Sequence, residues 1–216
     1  MTTYNLSPHA LNLYVECPRC FWEEAHGNKR PSGPFPSLPS GMDKIIKRRF
    51  DAYRKAGSLP KELATLDDVI LFPDEKLLRK WRDQRKGLQW TDEQGNTLAG
   101  SLDEALQTTS GEIVVLDYKT RGFPLKKTPD YYTLQLECYT FLLQQQGFSM
   151  ADYAFLLFYY PQSFAENGDV TFNHQLVKIS VSPAHAEETF RKAVGVMERE
   201  KPSLNKSCGF CNWRGN

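Results

Sequence analysis

Two Cys-x-x-Cys pairs at opposite ends of the chain constrain its fold more than any other sequence feature. The chain has 216 residues, and the pairs are Cys17 with Cys20 and Cys208 with Cys211. Each pair places two thiolates within reach of one metal, and four sulfur ligands complete either a tetrahedral zinc site or a [4Fe-4S] cluster. We therefore predict that segments 1–30 and 200–216 meet at one shared metal centre.

The fifth cysteine, Cys138, is expected to be a small core residue, because it shares a helical spacing with Leu134, Phe141 and Leu142. Five cysteines are too few for a secreted disulfide scaffold of this length, so we expect a cytoplasmic protein with reduced thiols. No apolar stretch approaches the roughly 20 residues that cross a bilayer, and the first residues lack the parts of a secretory signal. No membrane association is expected.

Hydrophobic periodicity predicts one α/β domain over residues 1–216, with a mixed β-sheet flanked by helices. Residues 27–41, rich in proline and glycine, are expected to form an ordered flap. The predicted helices cover residues 8–17, 40–57, 73–84, 128–146 and 183 onward, with N-caps at Ser7, Ser40, Thr128 and Ser182. The predicted strands cover residues 97–107, 112–120, 153–160 and 171–181, the third of them closed by Pro161.

The hairpin formed by the first two of these strands carries the acidic residues of most interest. A three-residue loop at 109–111 would place Asp103 opposite Asp117, whereas a loop one residue longer would put them out of register. Directly opposed residues have Cβ atoms about 4.5 to 5.5 Å apart, where two carboxylates repel unless a cation lies between them. Lys119 has the same parity as Asp117. This pattern indicates a Mg²⁺ or Mn²⁺ site, and the alternative is a solvated strand face.

Three motifs in this order resemble those of the PD-(D/E)XK nuclease superfamily, and most closely its RecB-like branch. Residues 100–103 match a GxxD strand, residues 117–119 a (D/E)xK strand and residues 135–139 a QxxxY helix. The flanking cysteines resemble those of iron-sulfur members of the branch, which include CRISPR adaptation exonucleases and helicase-nuclease subunits. The resemblance covers roughly residues 40–160 and implies a restriction-endonuclease-like core.

The resemblance implies metal-dependent hydrolysis of phosphodiester bonds, with DNA favoured over RNA as the substrate. Asp103 and Asp117 would bind Mg²⁺ or Mn²⁺, with the Tyr118 carbonyl as a third oxygen ligand, and Lys119 would orient water or stabilise the developing charge. A catalytically inactive nucleic-acid-binding module on the same fold is the alternative function. A metal-stapled interaction protein is a third interpretation. The intact set of two acids and a lysine favours the enzyme.

Contacts to nucleic acid are expected from residues around this centre. By resemblance Gln135 and Tyr139, which share one helix face, would lie near the scissile phosphate, although they would also suit a buried polar pair. The formal net charge is only +1, so polyanion binding needs a local patch, which Arg121, Lys126 and Lys127 would supply. The resemblance also implies a helicase or another DNA-processing protein as a partner.

Two departures from the family pattern concern metals. Iron-sulfur members usually have one early and three late cysteines, whereas this chain has two and two, so both cluster and zinc remain open. The resemblance favours the cluster, as do neighbouring aromatic residues that would shield it, namely Phe21, Trp22, Phe210 and Trp213.

The second departure is a missing histidine in the helix upstream of the hairpin. Asp43 either replaces that ligand or, three residues after an N-cap at Ser40, interacts with the helix dipole. The basic run at 79–86 is interpreted as a solvated helix face that would add a second cationic patch.

Overall fold

The computed structural model describes residues 2–214, and within that range it contains seven α-helices and eight β-strands. The helices are α1 (Pro8–Glu16), α2 (Pro18–Ala25), α3 (Ser37–Lys55), α4 (Glu75–Trp81), α5 (Asp130–Gln145), α6 (Pro183–Met197) and α7 (Gly209–Arg214). The strands are β1 (Asn5–Leu6), β2 (Val69–Leu71), β3 (Leu88–Thr91), β4 (Thr97–Gly100), β5 (Glu104–Thr108), β6 (Ile113–Thr120), β7 (Tyr153–Phe164) and β8 (Val170–Ser180). No helix of the described residues has both the length and the apolar character needed to cross a membrane.

A five-stranded sheet in the order β2-β5-β6-β7-β8 forms the centre of the fold. Strands β6 and β7 are parallel and α5 connects them, while the other neighbours are antiparallel. One face of the sheet packs on α5 and α6 through residues such as Phe158, and the other packs on α3 through residues such as Tyr118. The predicted architecture, a mixed sheet flanked by helices, is confirmed.

The hairpin of β5 and β6 has the predicted register. Glu104 pairs with Leu116 and Gln107 pairs with Ile113, and the loop contains Gly111 at a φ of 89°. That positive φ is the conformation that glycine adopts without strain. Extending the same register by one residue places Asp103 opposite Asp117.

The prediction of one continuous strand over 97–107 is wrong. The chain leaves strand geometry at 101–103, so that β4 joins a second sheet in the order β1-β4-β3 while β5 joins the large sheet. The irregular segment begins directly after Gly100, which packs tightly against Tyr139. A Cβ atom at Gly100 would lie 2.9 Å from Cε1 of that ring. Beyond that contact the Leu102 N–H donates to the Trp81 carbonyl, 3.2 Å away.

Several helix boundaries also differ from prediction. The serines Ser7 and Ser182 cap α1 and α6 as expected. Helical structure resumes at once at Pro18, because proline suits the first position of a new helix and the Cys17 sulfur caps it. Helix α4 is shorter than predicted and begins after an Asp74 cap.

Helix α3 begins at Ser37, before the predicted cap at Ser40, since Pro39 is tolerated in a first turn where no N–H is needed. Asp43 therefore lies in the second turn, and its helix-dipole interpretation is wrong. Similarly, Pro129 rather than Thr128 precedes α5, with no side-chain cap.

Strand β7 does not end at Pro161 but continues to Phe164 with an irregularity between Pro161 and Ser163. Pairing with β6 ends at Tyr159, so β7 beyond that point pairs with β8 alone. A proline there has no ladder hydrogen bond to interrupt on its free side.

Candidate active site

Asp103 and Asp117 are held face to face at the centre of the large sheet. Asp117 is buried at 2% exposure in β6, between β5 and β7, and Asp103 is half-buried just before β5. The Tyr118 N–H donates to Oδ2 of Asp103 at 3.1 Å, which fixes the second carboxylate against the strand that carries the first. The structure thus brings together the two predicted ligands and the residue whose carbonyl was expected to join them.

The surroundings of Asp117 disfavour its ionised form, and a bound cation would offset this effect. Burial, reinforced by the negative charge of Asp103, raises the pKa of Asp117 to about 7, against the opposing effect of Lys119 and Lys47. The Lys119 ammonium lies 2.5 Å from Asp117 Oδ2, but this buried oxygen has no partner in hydrogen-bond geometry. An incompletely satisfied buried oxygen beside a second carboxylate fits Mg²⁺ or Mn²⁺, which prefer oxygen ligands.

Lys119 is connected to the predicted QxxxY pair. Its ammonium donates to Gln135 Oε1 at 3.0 Å, and Gln135 Nε2 donates to the Tyr139 hydroxyl at 2.9 Å. Tyr139 is buried, which raises its pKa above the usual range, whereas Gln135 is half-buried. The i,i+4 pair is therefore hydrogen-bonded internally, as the polar-pair interpretation expected, and it also orients the lysine.

A second lysine, Lys47 of α3, was not identified from the sequence. Its ammonium lies 2.8 Å from Asp103 Oδ1 and 2.9 Å from Asp43 Oδ1. Asp43 consequently lies beside the acidic pair and is bridged to it by this lysine. The i,i+4 spacing of Asp43 and Lys47 was a visible signal for their pairing, but nothing local indicated Asp103 as the third partner.

The interpretation of the run 79–86 as a solvated face is wrong for Arg82. Its side chain is only 11% exposed and contacts the fully buried Glu104 at 2.9 Å. Other members of the run, such as Arg79 at 73% side-chain exposure, are solvated as expected. Neither Glu104 nor its arginine partners were identified from the sequence.

The predicted cationic patch follows β6 directly. Arg121 lies on the same face of the strand as Lys119, with its guanidinium 5.7 Å from the ring centroid of the exposed Phe123. Lys126 and Lys127 are exposed in the connection from β6 to α5. These three cations therefore lie on the segment that leaves the candidate site.

The four paired cysteines cluster as predicted, with all sulfurs within 4.8 Å of one another. Sulfur separations are 3.5 Å for Cys17 and Cys211, 3.7 Å for Cys20 and Cys208, and 3.8 Å for Cys20 and Cys211. All four are buried, while Cys138 lies separately in the hydrophobic core. The ends of the described chain thus meet at one site of four thiols.

Two further contacts shape this sulfur site. Burial opposes ionisation of Cys208, yet the backbone N–H groups of Cys211 and Phe210 help to lower its pKa to about 7. Arg30 donates to the Cys208 sulfur at 3.4 Å and stacks on the Phe210 ring at 4.4 Å. Trp213, expected as a shield, is 65% exposed.

Comparison with known proteins gives one family. The family model of the PD-(D/E)XK nuclease superfamily matches residues 5–215. A solved structure titled "Crystal structure of SSO0001" is similar, with a TM-score of 0.43 and 11% sequence identity, over 100% of this chain and 86% of that chain. No curated protein matches the chain.

Asp117→Asn should stabilise the metal-free protein at neutral pH. Folding raises the pKa of Asp117 from 3.8 to about 7, so the folded protein retains a proton that the unfolded chain releases. The contribution of Asp117 to wild-type stability should therefore fall between about pH 4 and pH 7, by up to about 1.4 kcal/mol per pH unit, and this contribution should be absent from the variant. Denaturant unfolding across this range measures it, in buffer free of Mg²⁺ and Mn²⁺ but without a chelator that would strip the cysteine site.

The control is Asp67→Asn, an exposed acid-to-amide change, which should keep the wild-type slope. Identical pH profiles for wild type and Asp117→Asn would contradict the assignment of this linkage to Asp117.

Proposed function

Because the chain belongs to the PD-(D/E)XK nuclease superfamily, we propose that it is a metal-dependent nuclease that hydrolyses phosphodiester bonds of DNA. The observation that carries this proposal is the pair of opposed carboxylates, Asp103 and Asp117, with the Lys119 ammonium 2.5 Å from the buried acid. Burial of such a pair is costly in a metal-free protein, and a divalent cation offsets that cost.

Asp103 and Asp117 would hold Mg²⁺ or Mn²⁺, and the Tyr118 carbonyl is the further oxygen that we propose. When bound, the ion supplies Lewis-acid polarisation of a phosphate oxygen and activation of a water. Tyr118 is restrained at both ends, because its N–H donates to Asp103 and its hydroxyl donates to Glu104 at 3.0 Å. Asp117 and the Tyr118 carbonyl thus lie on a restrained strand, and the Tyr118 N–H ties the Asp103 carboxylate to it.

Lys119 provides the positive charge that is needed beside a reacting phosphate. Gln135 accepts a hydrogen bond from its ammonium and is itself held by Tyr139, so the lysine has a defined direction. We assign Lys119 to orienting the attacking water or stabilising negative charge that develops on phosphate oxygens. Asp43, bridged through Lys47, is an additional ligand only if that lysine moves away.

DNA binding is assigned to the patch beyond β6. Arg121, Lys126 and Lys127 would contact phosphates that flank the reacting one, and their local concentration matters because the net charge is only +1. Gln135 and Tyr139 would contact the strand closest to the site. The three motifs and the cysteine pairs support a place in the RecB-like branch, beside CRISPR adaptation exonucleases or helicase-nuclease subunits, with a helicase or another DNA-processing protein as the partner.

The competing function is a nucleic-acid-binding module that has lost catalysis. The presence of Asp103, Asp117 and Lys119 together favours the enzyme, since a decayed site is expected to lack at least one of them.

For the four cysteines we propose a single tetrahedral zinc ion in place of the [4Fe-4S] cluster that the resemblance implies. A Zn–S distance of about 2.3 Å gives sulfur separations of about 3.8 Å in a tetrahedron. Three of the six sulfur separations, at 3.5 to 3.8 Å, match this value, and all six are within 4.8 Å. A cubane cluster needs sulfurs farther apart, because each thiolate binds a different iron.

The proposed activity predicts Mn²⁺-dependent cleavage that requires Asp117. Anaerobically purified protein should degrade labelled DNA with Mn²⁺ or Mg²⁺ and leave it intact in excess chelator, and comparison of linear with circular substrates distinguishes end-dependent from internal cleavage. Asp117→Ala should abolish cleavage, because a metal ligand is removed, while Asp67→Ala retains it. Cleavage at the wild-type level by Asp117→Ala, or by wild type in chelator, would exclude the assigned site.

The assigned roles predict that Lys119→Ala and Lys126→Ala differ in kind. Lys119→Ala should lower kcat by about a hundredfold with little change in DNA affinity, because its charge acts on the transition state. Lys126→Ala should weaken DNA binding and reduce the slope of log affinity against log salt concentration by about 1, the value for one lost phosphate contact. Single-turnover kinetics and a salt titration separate the two, and equal losses of affinity would argue against these roles.

The sulfur site predicts about one zinc per chain, held by all four cysteines. Cys208→Ser should lose the metal and thermal stability together, because binding contributes to folding. Cys138→Ser, a change of another buried cysteine, should keep the full metal content. Elemental analysis of anaerobically prepared protein checks both, and about four iron atoms per chain would instead support the cluster.

A further inference from the structure

The segment 101–103 carries the proposed ligand Asp103 but belongs to no strand. Its neighbours β4 and β5 lie in different sheets, and the β5–β6 register aligns Asp103 with Asp117 although Asp103 itself is outside the strand. Two contacts from the end of α4 additionally hold the main chain of this segment. The Leu102 N–H donates to the Trp81 carbonyl at 3.2 Å, and Nε of Arg82 donates to the Asp103 carbonyl at 2.7 Å.

The guanidinium of Arg82 is fixed on its other sides as well. Its Nη2 donates to Glu104 Oε2 at 2.9 Å, and its Nη1 lies 2.9 Å and 3.1 Å from the two carboxylate oxygens of Asp51. A planar guanidinium with three partners has one orientation, which a flexible ammonium cannot reproduce. The position of the Asp103 main chain is therefore set by the rigid side chain of Arg82, the residue that directly follows α4.

Glu104 extends this restraint to the opposite strand. It is fully buried, binds both Arg82 and Arg54, and accepts a hydrogen bond from the Tyr118 hydroxyl at 3.0 Å. The N–H of Tyr118 in turn holds the Asp103 carboxylate at 3.1 Å. One connected network thus contacts both segments that present the acidic pair.

We propose that Arg82 is a positioning residue for the metal site, which holds Asp103 at the spacing from Asp117 that a divalent ion requires. The proposal rests on the function proposed above and adds a residue that does not touch the ion. Partners of metal ligands commonly affect metal affinity by about 10 to 100-fold, although they lie outside the coordination shell.

Arg54 supplies a matched control within the same network. Its side chain is 3% exposed, and it contacts Glu104, Asp51 at 2.5 Å and the Phe72 carbonyl at 2.8 Å. Among the described residues its hydrogen bonds include none to Asp103. Replacing the guanidinium of Arg54 should disturb the same buried charges without releasing the Asp103 main chain.

The test compares Arg82→Lys with Arg54→Lys in the full chain, with its cysteine site loaded. Isothermal titration calorimetry with Mn²⁺ should show at least about tenfold weaker binding for Arg82→Lys and near wild-type binding for Arg54→Lys, while both lose thermal stability. Cleavage by Arg82→Lys should recover as Mn²⁺ is raised. Hydrogen exchange of the Tyr118 amide, which reports its bond to Asp103, should accelerate in Arg82→Lys alone.

Wild-type Mn²⁺ affinity in Arg82→Lys would overturn the proposal, as would an equal loss in Arg54→Lys, which would indicate general loosening. If wild type has no Mn²⁺ binding that Asp117→Asn removes, the proposed function fails instead. Should Arg82→Lys not fold, Asp51→Asn leaves both arginines in place while weakening the hold on Arg82. It should then bind Mn²⁺ more weakly than wild type, and unchanged affinity would overturn the proposal.

Discussion

The repulsion between two carboxylates held opposite each other on one hairpin organises the functional half of this protein. The β5–β6 register places Asp103 across from Asp117, and burial within the central strands denies Asp117 the solvent that would screen its charge. Neighbouring groups partly neutralise the negative charge of the two acids. Lys119 approaches one acid and Lys47 the other, and a backbone N–H supports Asp103. A divalent cation would complete this set, because it can bind both acids at once.

On the α3 face of the sheet, buried ionic groups give the site its rigidity. Glu104 is bound by two arginines and a tyrosine, and Glu62 is bound by Arg49 at 2.7 Å and by Tyr159 at 3.0 Å. Buried ion pairs of this kind contribute little net stability after desolvation, but removal of one partner is costly. We interpret the Glu104 network as positioning the acidic pair rather than stabilising the fold, since its members contact the segments that carry these acids.

The cysteine site brings the two terminal segments together, and its cysteines pack in the core on the α5 face of the sheet rather than on the α3 face. Its sulfurs come from α2 with its cap and from the start of α7, so one metal ion would join segments that are distant in sequence. Arg30 links this site to the extended segment that leads into α3, the helix of Lys47. Metal binding would therefore contribute to folding stability.

The sequence by itself determined the features that depend on local periodicity and on short-range turn chemistry. It gave the hairpin register through its three-residue loop, the caps at Ser7 and Ser182, the spacing of the paired cysteines, and the grouping of Asp103, Asp117 and Lys119. Only the tertiary structure decided that strand β4 ends at Gly100, where the Tyr139 ring leaves no room for a Cβ atom. It likewise decided that Lys47 and Arg82 turn inward. A surface lysine and a member of a basic run look alike in sequence, and each is drawn inward by a carboxylate or carbonyl from another element, a partner that no local pattern specifies.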